Sequence, residues 1–156
     1  MVDDTANPAR IGPNAILQLV PVVEQAAGPE MSAHLLAMAG IFQLPDPAAG
    51  MIDERPVARL HQGLRLHLPE AAAMLTREAG WRTGEYILAH RIPQPVQAAL
   101  RLLPARLAAS ILTGAIARHA WTFSGSGRFE VLSRWPPVVA IADNPVVRGE
   151  TSDVAL

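Results

Sequence analysis

The stretch Trp121-Thr122-Phe123-Ser124-Gly125-Ser126-Gly127-Arg128-Phe129-Glu130-Val131 decides how the chain is read. Upstream of it, apolar residues recur at three- and four-residue steps. Here the period drops to two: Trp121 and Phe123 alternate with Thr122 and Ser124, and Phe129 and Val131 alternate with Glu130 and Leu132. A period of 3.6 places side chains on one face of a helix, and a period of 2 on one face of a strand. The expectation is a hairpin that turns at Gly125-Ser126-Gly127, followed by a third strand over Val138 to Ala142 before the Asp143-Asn144-Pro145 turn.

Working back from there, the chain reads as helices punctuated by proline and glycine. Gly12-Pro13 opens a helix striped by Ile16, Leu17, Leu19, Val20 and Val23, which Pro21 can kink. A second helix starts at Pro29 and reaches Gly40; Leu44 to Met51 is a loop. Asp53 is positioned to cap a helix carrying Val57, Leu60, Leu64 and Leu68. Pro69 starts another, which is expected to stop at Gly80. Thr83 then caps a short helix holding Tyr86, Ile87 and His90, ended by Pro93. Val96, Leu100 and Leu103 form one face, and Pro104 opens the helix of Leu107, Ile111, Leu112 and Ile116. Helices first and an antiparallel sheet last predict an α+β fold, with helices in the N-terminal two-thirds packed on a C-terminal sheet. The predicted organisation is a flexible tail over 1–10, one domain over 11–148, and a loose tail over 149–156.

Composition narrows the function. The chain has 156 residues, half of them hydrophobic, and 17% charged, which suits one globular core. No run of apolar residues is long enough for a membrane span. Met1-Val2-Asp3-Asp4 lacks the basic and apolar parts of a signal peptide, so a soluble, cytoplasmic protein is expected. With no cysteine, disulfides, iron–sulfur clusters, thiolate zinc and cysteine nucleophiles are excluded. All 13 basic residues are Arg, so Lys-dependent Schiff-base chemistry is excluded as well. Between Tyr86 and Arg128 lie five Arg and no acid. That basic middle attracts anions but is too thin for a nucleic-acid footprint.

Signatures of catalysis are missing. Gly125-Ser126-Gly127 has no third glycine and no helix after it to receive a pyrophosphate. Ser126 is not in a Gly-x-Ser-x-Gly nucleophile elbow, because position 124 is Ser and not Gly. His61 and His67 sit on different sides of one helix and are poorly placed to share a metal; His67, at the rim of the apolar face, reads as a packed, hydrogen-bonded histidine. His34 reads as a surface or boundary residue. His90 follows Tyr86 by four, so the two rings can meet. His119 points along the apolar face at a helix end. Either imidazole could ligate a metalloporphyrin, and either could be an ordinary structural residue. Trp81, Trp121, Phe123 and Phe129 could wall a flat ligand or form plain core. Arg91, Arg118 and Arg128 could hold carboxylates bidentately or simply face solvent. No catalytic residue and no protein-held metal are assigned.

Three stretches carry a resemblance: Ile11-Gly12-Pro13-Asn14-Ala15, Gly80-Trp81-Arg82-Thr83-Gly84-Glu85-Tyr86-Ile87-Leu88-Ala89-His90-Arg91-Ile92-Pro93, and His119-Ala120-Trp121-Thr122-Phe123-Ser124-Gly125-Ser126-Gly127-Arg128-Phe129. From Ile11 onward the chain resembles the bacteriochlorophyll 4-vinyl reductase family, the J proteins of that pathway, which carry a vinyl-4-reductase domain. The resemblance implies an α+β ligand-binding domain akin to the sensor domains of aromatic-responsive regulators and to a vesicle-tethering subunit. It implies a carrier of porphyrin or Mg-protoporphyrin between the large subunit of magnesium chelatase and the following methyltransferase. The alternatives are reduction of a vinyl group on a chlorophyllide precursor, or regulation of the chelatase without pigment. With no site found for a hydride donor, the residues favour a binding protein over an enzyme.

On this reading Trp81, Tyr86, His90, Arg91, Arg118, His119, Trp121, Phe123 and Arg128 contact the pigment, in an apolar cleft between the late helices and the hairpin. His90 or His119 would be the axial ligand of a metal-bearing ring. No cofactor beyond the pigment is expected; domains of the superfamily that the resemblance implies often pair, which makes a homodimer an option that the residues themselves do not show. Family members continue past a segment like Asn144-Pro145 with a further element, so a shortened end is expected here. Related sensor domains use cysteines for zinc, which this chain lacks.

Overall fold

The computed structural model describes residues 9–48 and 50–147, apart from the side chain of Trp121. The predicted tails fall mostly outside these residues. Their element order is β1 (Arg10–Ile11), α1 (Asn14–Leu17), α2 (Leu19–Ala27), α3 (Pro29–Ala39), β2 (Ile52–Asp53), α4 (Glu54–His67), α5 (Pro69–Arg91), α6 (Gln94–Leu102), α7 (Ala105–His119), α8 (Trp121–Ser124), β3 (Arg128–Arg134) and β4 (Pro137–Ala142). The fold is α+β, mostly helical, with two small antiparallel sheets, β1–β2 and β3–β4.

Most helix starts lie where the local chemistry puts them. Pro29 and Pro69 occupy first-turn positions, where a missing N–H costs nothing. The Asp53 carboxylate accepts the Arg55 N–H at 2.9 Å and caps α4. Gly40 closes α3 in the left-handed conformation, and Arg59 Nε donates to the Ala39 carbonyl at 3.0 Å, satisfying one of the helix's last acceptors. The first helix breaks at Gln18, one turn ahead of Pro21. A proline ring crowds the carbonyl four residues earlier, here that of Leu17.

Two expectations are corrected. Gly80 does not end a helix: α5 runs unbroken from Pro69 to Arg91. A lone mid-helix glycine costs only about 1 kcal/mol. Here it is flanked by buried Leu75 and Ala79, by an Arg82–Glu78 ion pair at 3.0 Å, and by Arg82 Nη2 donating to Gln25 on α2 at 3.2 Å. The Thr83 hydroxyl donates back to the Ala79 carbonyl at 2.8 Å and does not cap a new helix.

The second correction concerns the change of period at Trp121. Trp121 to Ser124 is one helical turn, because the Ala120 carbonyl accepts the N–H groups of Phe123 and Ser124 at 3.0 and 2.8 Å. The Thr122 hydroxyl also donates to the His119 carbonyl at 2.8 Å. The hairpin lies one strand later, between β3 and β4, turning at Trp135-Pro136. Its register pairs Phe129 with Ile141 and Val131 with Val139, then shifts between Val131 and Ser133. The stretch expected as a third strand is its second.

The core sits in the N-terminal half. Ile11, Leu19, Leu35, Val57 and Leu64 are each almost wholly buried, where α1 to α4 meet the first half of α5. Burying a side chain of this size stabilises the fold by about 1.5–3 kcal/mol. The C-terminal half is clamped onto this bundle by specific bonds. The Gly12 N–H donates to the Thr122 carbonyl at 2.6 Å, and Arg65 Nη1 donates to the Val146 carbonyl at 2.8 Å. Buried Glu54 accepts both the backbone N–H and the hydroxyl of Ser126, each at 2.7 Å.

Candidate functional site

The C-terminal half of α5 leaves the bundle behind: its buried residues are Ala72, Leu75 and Ala79, all in the first half. Beyond them Tyr86 and His90, four apart, stack with ring centroids 4.4 Å apart and planes inclined by 21°. The spacing predicted this meeting. His90 Nδ1 lies 3.0 Å from the Tyr86 carbonyl. A carbonyl only accepts, so Nδ1 carries the hydrogen, and in the neutral ring the lone pair falls on exposed Nε2. That is the tautomer an axial metal ligand needs. Arg91 follows at the exposed end of the helix.

Trp81 stands apart from this pair. It is 69% exposed and, nine residues before His90, points from the opposite side of α5. A second group gathers around α8. Phe123 and Phe129 are half-buried and meet edge to face, with centroids 5.7 Å apart at 84°. Arg118 and His119 end α7, both exposed, whereas the sequence placed His119 along an apolar face. Arg128 is exposed and pairs across the hairpin with Asp143 at 3.1 Å. The side chain of Trp121 lies outside the described residues. Among the described residues, no hydrogen bond, ion pair or ring contact joins the two groups. Among the described residues, a cavity of about 10 Å³ lies elsewhere, among Leu19, Val23, Leu35 and Leu60, as does an open depression of about 320 Å³ bounded by Val22, Met74 and Arg82.

His34 is exposed, as expected of a surface residue, but His67 is not the packed histidine the sequence suggested. His67 is exposed and meets His34 edge-on at 5.0 Å, while the packed, hydrogen-bonded histidine is His61. Its Nε2 donates to the Ala15 carbonyl at 3.3 Å and its Nδ1 is buried without a partner. Burial pushes its pKa down to about 4, the Ala15 bond opposing and the Arg65 charge assisting. Among the described residues no three potential metal ligands cluster. Nor, among the described residues, is any helix long and apolar enough to cross a membrane.

The sequence reading passed over Glu54 and gave Ser126, Gly12 and Thr122 no part in joining the two halves of the chain. Glu54 is the acid in the first turn of α4. Its carboxylate occupies the Gly125-Ser126-Gly127 turn, so the Ser126 amide, free to greet a phosphate in an open turn, is already taken. Gly12 is needed there: a Cβ on it would come within 2.8 Å of the Thr122 carbonyl oxygen. Two of the three stretches that carry the resemblance therefore meet in space, through β1 and α8.

No family model matches the chain, and no solved structure matches it. Among curated proteins it is similar to the bacteriochlorophyll synthase 23 kDa chain of Cereibacter sphaeroides, 54% identical over 155 residues, covering 97% of this chain and 75% of that one. The bacteriochlorophyll synthase 23 kDa chain of Rhodobacter capsulatus is 45% identical over 137 residues, covering 88% of this chain and 64% of its own length. Identity at this level across nearly the whole chain, in agreement with the resemblance to the 4-vinyl reductase family, shows that the chain belongs to the family of the bacteriochlorophyll synthase 23 kDa chain, proteins of bacteriochlorophyll biosynthesis.

Proposed function

We propose that the protein is a tetrapyrrole-binding accessory protein of bacteriochlorophyll biosynthesis, holding a porphyrin of the Mg-protoporphyrin type. The single observation that carries the reading is the Tyr86–His90 stack, whose geometry leaves His90 Nε2 facing solvent with its lone pair. The magnesium of the pigment would take that nitrogen as axial ligand. Arg91, one residue on, would hold a ring carboxylate through paired charge-assisted hydrogen bonds. The site is an open shelf on α5, unlike the apolar cleft expected between the late helices and the hairpin.

Arg118, His119, Trp121, Phe123 and Arg128 form the alternative seat, in which Arg128 would first have to leave Asp143. Trp81 would serve only a pigment that wraps to the other side of α5. Delivery would run from the large subunit of magnesium chelatase to the following methyltransferase, with a homodimer as the carrying form.

Titrating the protein with Mg-protoporphyrin while recording the Soret band tests the reading. A red-shifted, saturable band is expected, lost in His90→Ala and retained in His119→Ala. No shift at excess of both components would overturn it. Turnover of a divinyl substrate by the protein alone with NADPH would make it the reductase instead. Chelatase stimulation that survives replacement of Arg91, His119 and Trp121 by Ala would make it a regulator that acts without pigment.

A further inference from the structure

The segment between the two candidate groups has a different character. α6 buries none of its nine residues, yet it is not loose. Gln97 Nε2 donates to the Leu88 and Ile92 carbonyls at 2.8 and 2.9 Å, tying α6 to the end of α5. The tip of the hairpin is tied to α7 in turn. Arg106 lies over the Trp135 ring, 5.8 Å from its centre, and Arg134 Nη1 donates to the Ser110 hydroxyl at 3.3 Å. On these elements Val96, Leu102, Leu103, Leu107, Ile111 and Trp135 are all exposed, Leu102 to 86%. Soluble proteins seldom leave so much apolar side chain in water without something to cover it.

Charge selects the occupant. The apolar residues are interleaved with Arg101 and Arg106, inside a stretch from Tyr86 to Arg128 that contains five Arg and no acid. A second copy docked symmetrically on this face would set arginine against arginine, a like-charge juxtaposition that opposes association. An anionic bilayer answers both features, because its headgroups neutralise the guanidinium groups while its interface accepts leucine and tryptophan. Among the described residues no helix is both long and apolar enough to span a membrane, so contact of this kind means lying on the surface.

We propose that α6, the first half of α7 and the tip of the β3–β4 hairpin form a peripheral membrane-binding face for anionic lipid. α6, about 13 Å long at 1.5 Å per residue, lies in the interface plane, and Trp135 anchors the hairpin beside it. The pigment shelf of Tyr86 and His90 is not part of this face, so a carrier could rest on a membrane with its ligand site free.

Flotation of the protein with vesicles tests the assignment. Vesicles mixing phosphatidylcholine with phosphatidylglycerol are expected to carry the protein up the gradient, and vesicles of phosphatidylcholine alone to carry little. Binding should weaken as salt is raised. Arg101→Gln and Arg106→Gln should each reduce partitioning about fivefold. Leu102→Glu with Leu103→Glu should abolish it while leaving the far-ultraviolet spectrum, the melting curve and the Soret titration unchanged. Equal flotation with both vesicles, undiminished binding of the double glutamate variant, or a dimer that this variant dissociates in a protein that ignores vesicles would each overturn the proposal.

Discussion

His61 and Glu54 are both buried polar residues on α4, and each governs stability through a different partner. His61 is 8% exposed, and its folded-state pKa of about 4 lies below the 6.5 of the free side chain. As pH falls from 6.5 towards 4, the unfolded chain takes up the proton first, so folding loses free energy across that window and none above it. The full drop is roughly 3 kcal/mol, because each tenfold difference in proton affinity between the folded and unfolded chain is worth about 1.4 kcal/mol. Urea unfolding at pH 7 and pH 4.5 should show it, and His61→Leu should flatten the difference while losing the bond to Ala15. Glu54 holds the Gly125-Ser126-Gly127 turn, and Gly125 has a φ of +57°, with a Cβ there running into the Glu54 carboxylate. Gly125→Ala should therefore lower stability by about 1–3 kcal/mol, combining backbone strain with crowding. Glu54→Ala should cost about 1–3 kcal/mol by stranding the Ser126 N–H, as thermal melts would record.

At the scale of elements, α5 gives the opposite sign for the same substitution. Gly80 and Gly84 lie in mid-helix, and a Cβ built on either meets nothing within 4 Å. Gly80→Ala and Gly84→Ala should each stabilise the protein by about 0.5–1 kcal/mol, through higher helix propensity and a less flexible unfolded chain. A lower melting temperature in either variant would mean that α5 is interrupted after all. The starts of α3, α4 and α5 were legible because Pro29, Asp53 and Pro69 act on the backbone within a residue or two of themselves. α8 was not. Trp-Thr-Phe-Ser is too short to separate a period of 2 from one of 3.6, and the bonds that settle it include one from Gly12, far away in the chain. The stack of Tyr86 on His90 was legible for the same reason as the caps: four residues is one helical turn.

For the molecule as a whole, the buried core runs from Ile11 to Ala79, and the later helices are held by a few bonds and little burial. Resistance to opening follows buried apolar contact. Hydrogen exchange should therefore be slowest in α2, α3, α4 and the first half of α5, and fastest among the helices in α6. Uniform protection would contradict this division. Binding of pigment or of anionic vesicles should slow exchange in different places, the end of α5 for the first and α6 with early α7 for the second.

From the residues alone came the helical starts, the α+β order, the exclusion of cysteine and lysine chemistry, the Tyr86–His90 pairing and the family. These depend on composition or on interactions within one or two turns, which adjacent residues specify between themselves. Folding decided that the hairpin lies beyond Arg128, that His61 and not His67 is buried, that Trp81 and His90 face apart, and that α6 stays uncovered. Each of those depends on which distant segments come together, as Gly12 does with Thr122 and Glu54 with Ser126, and no local pattern encodes the distance between them.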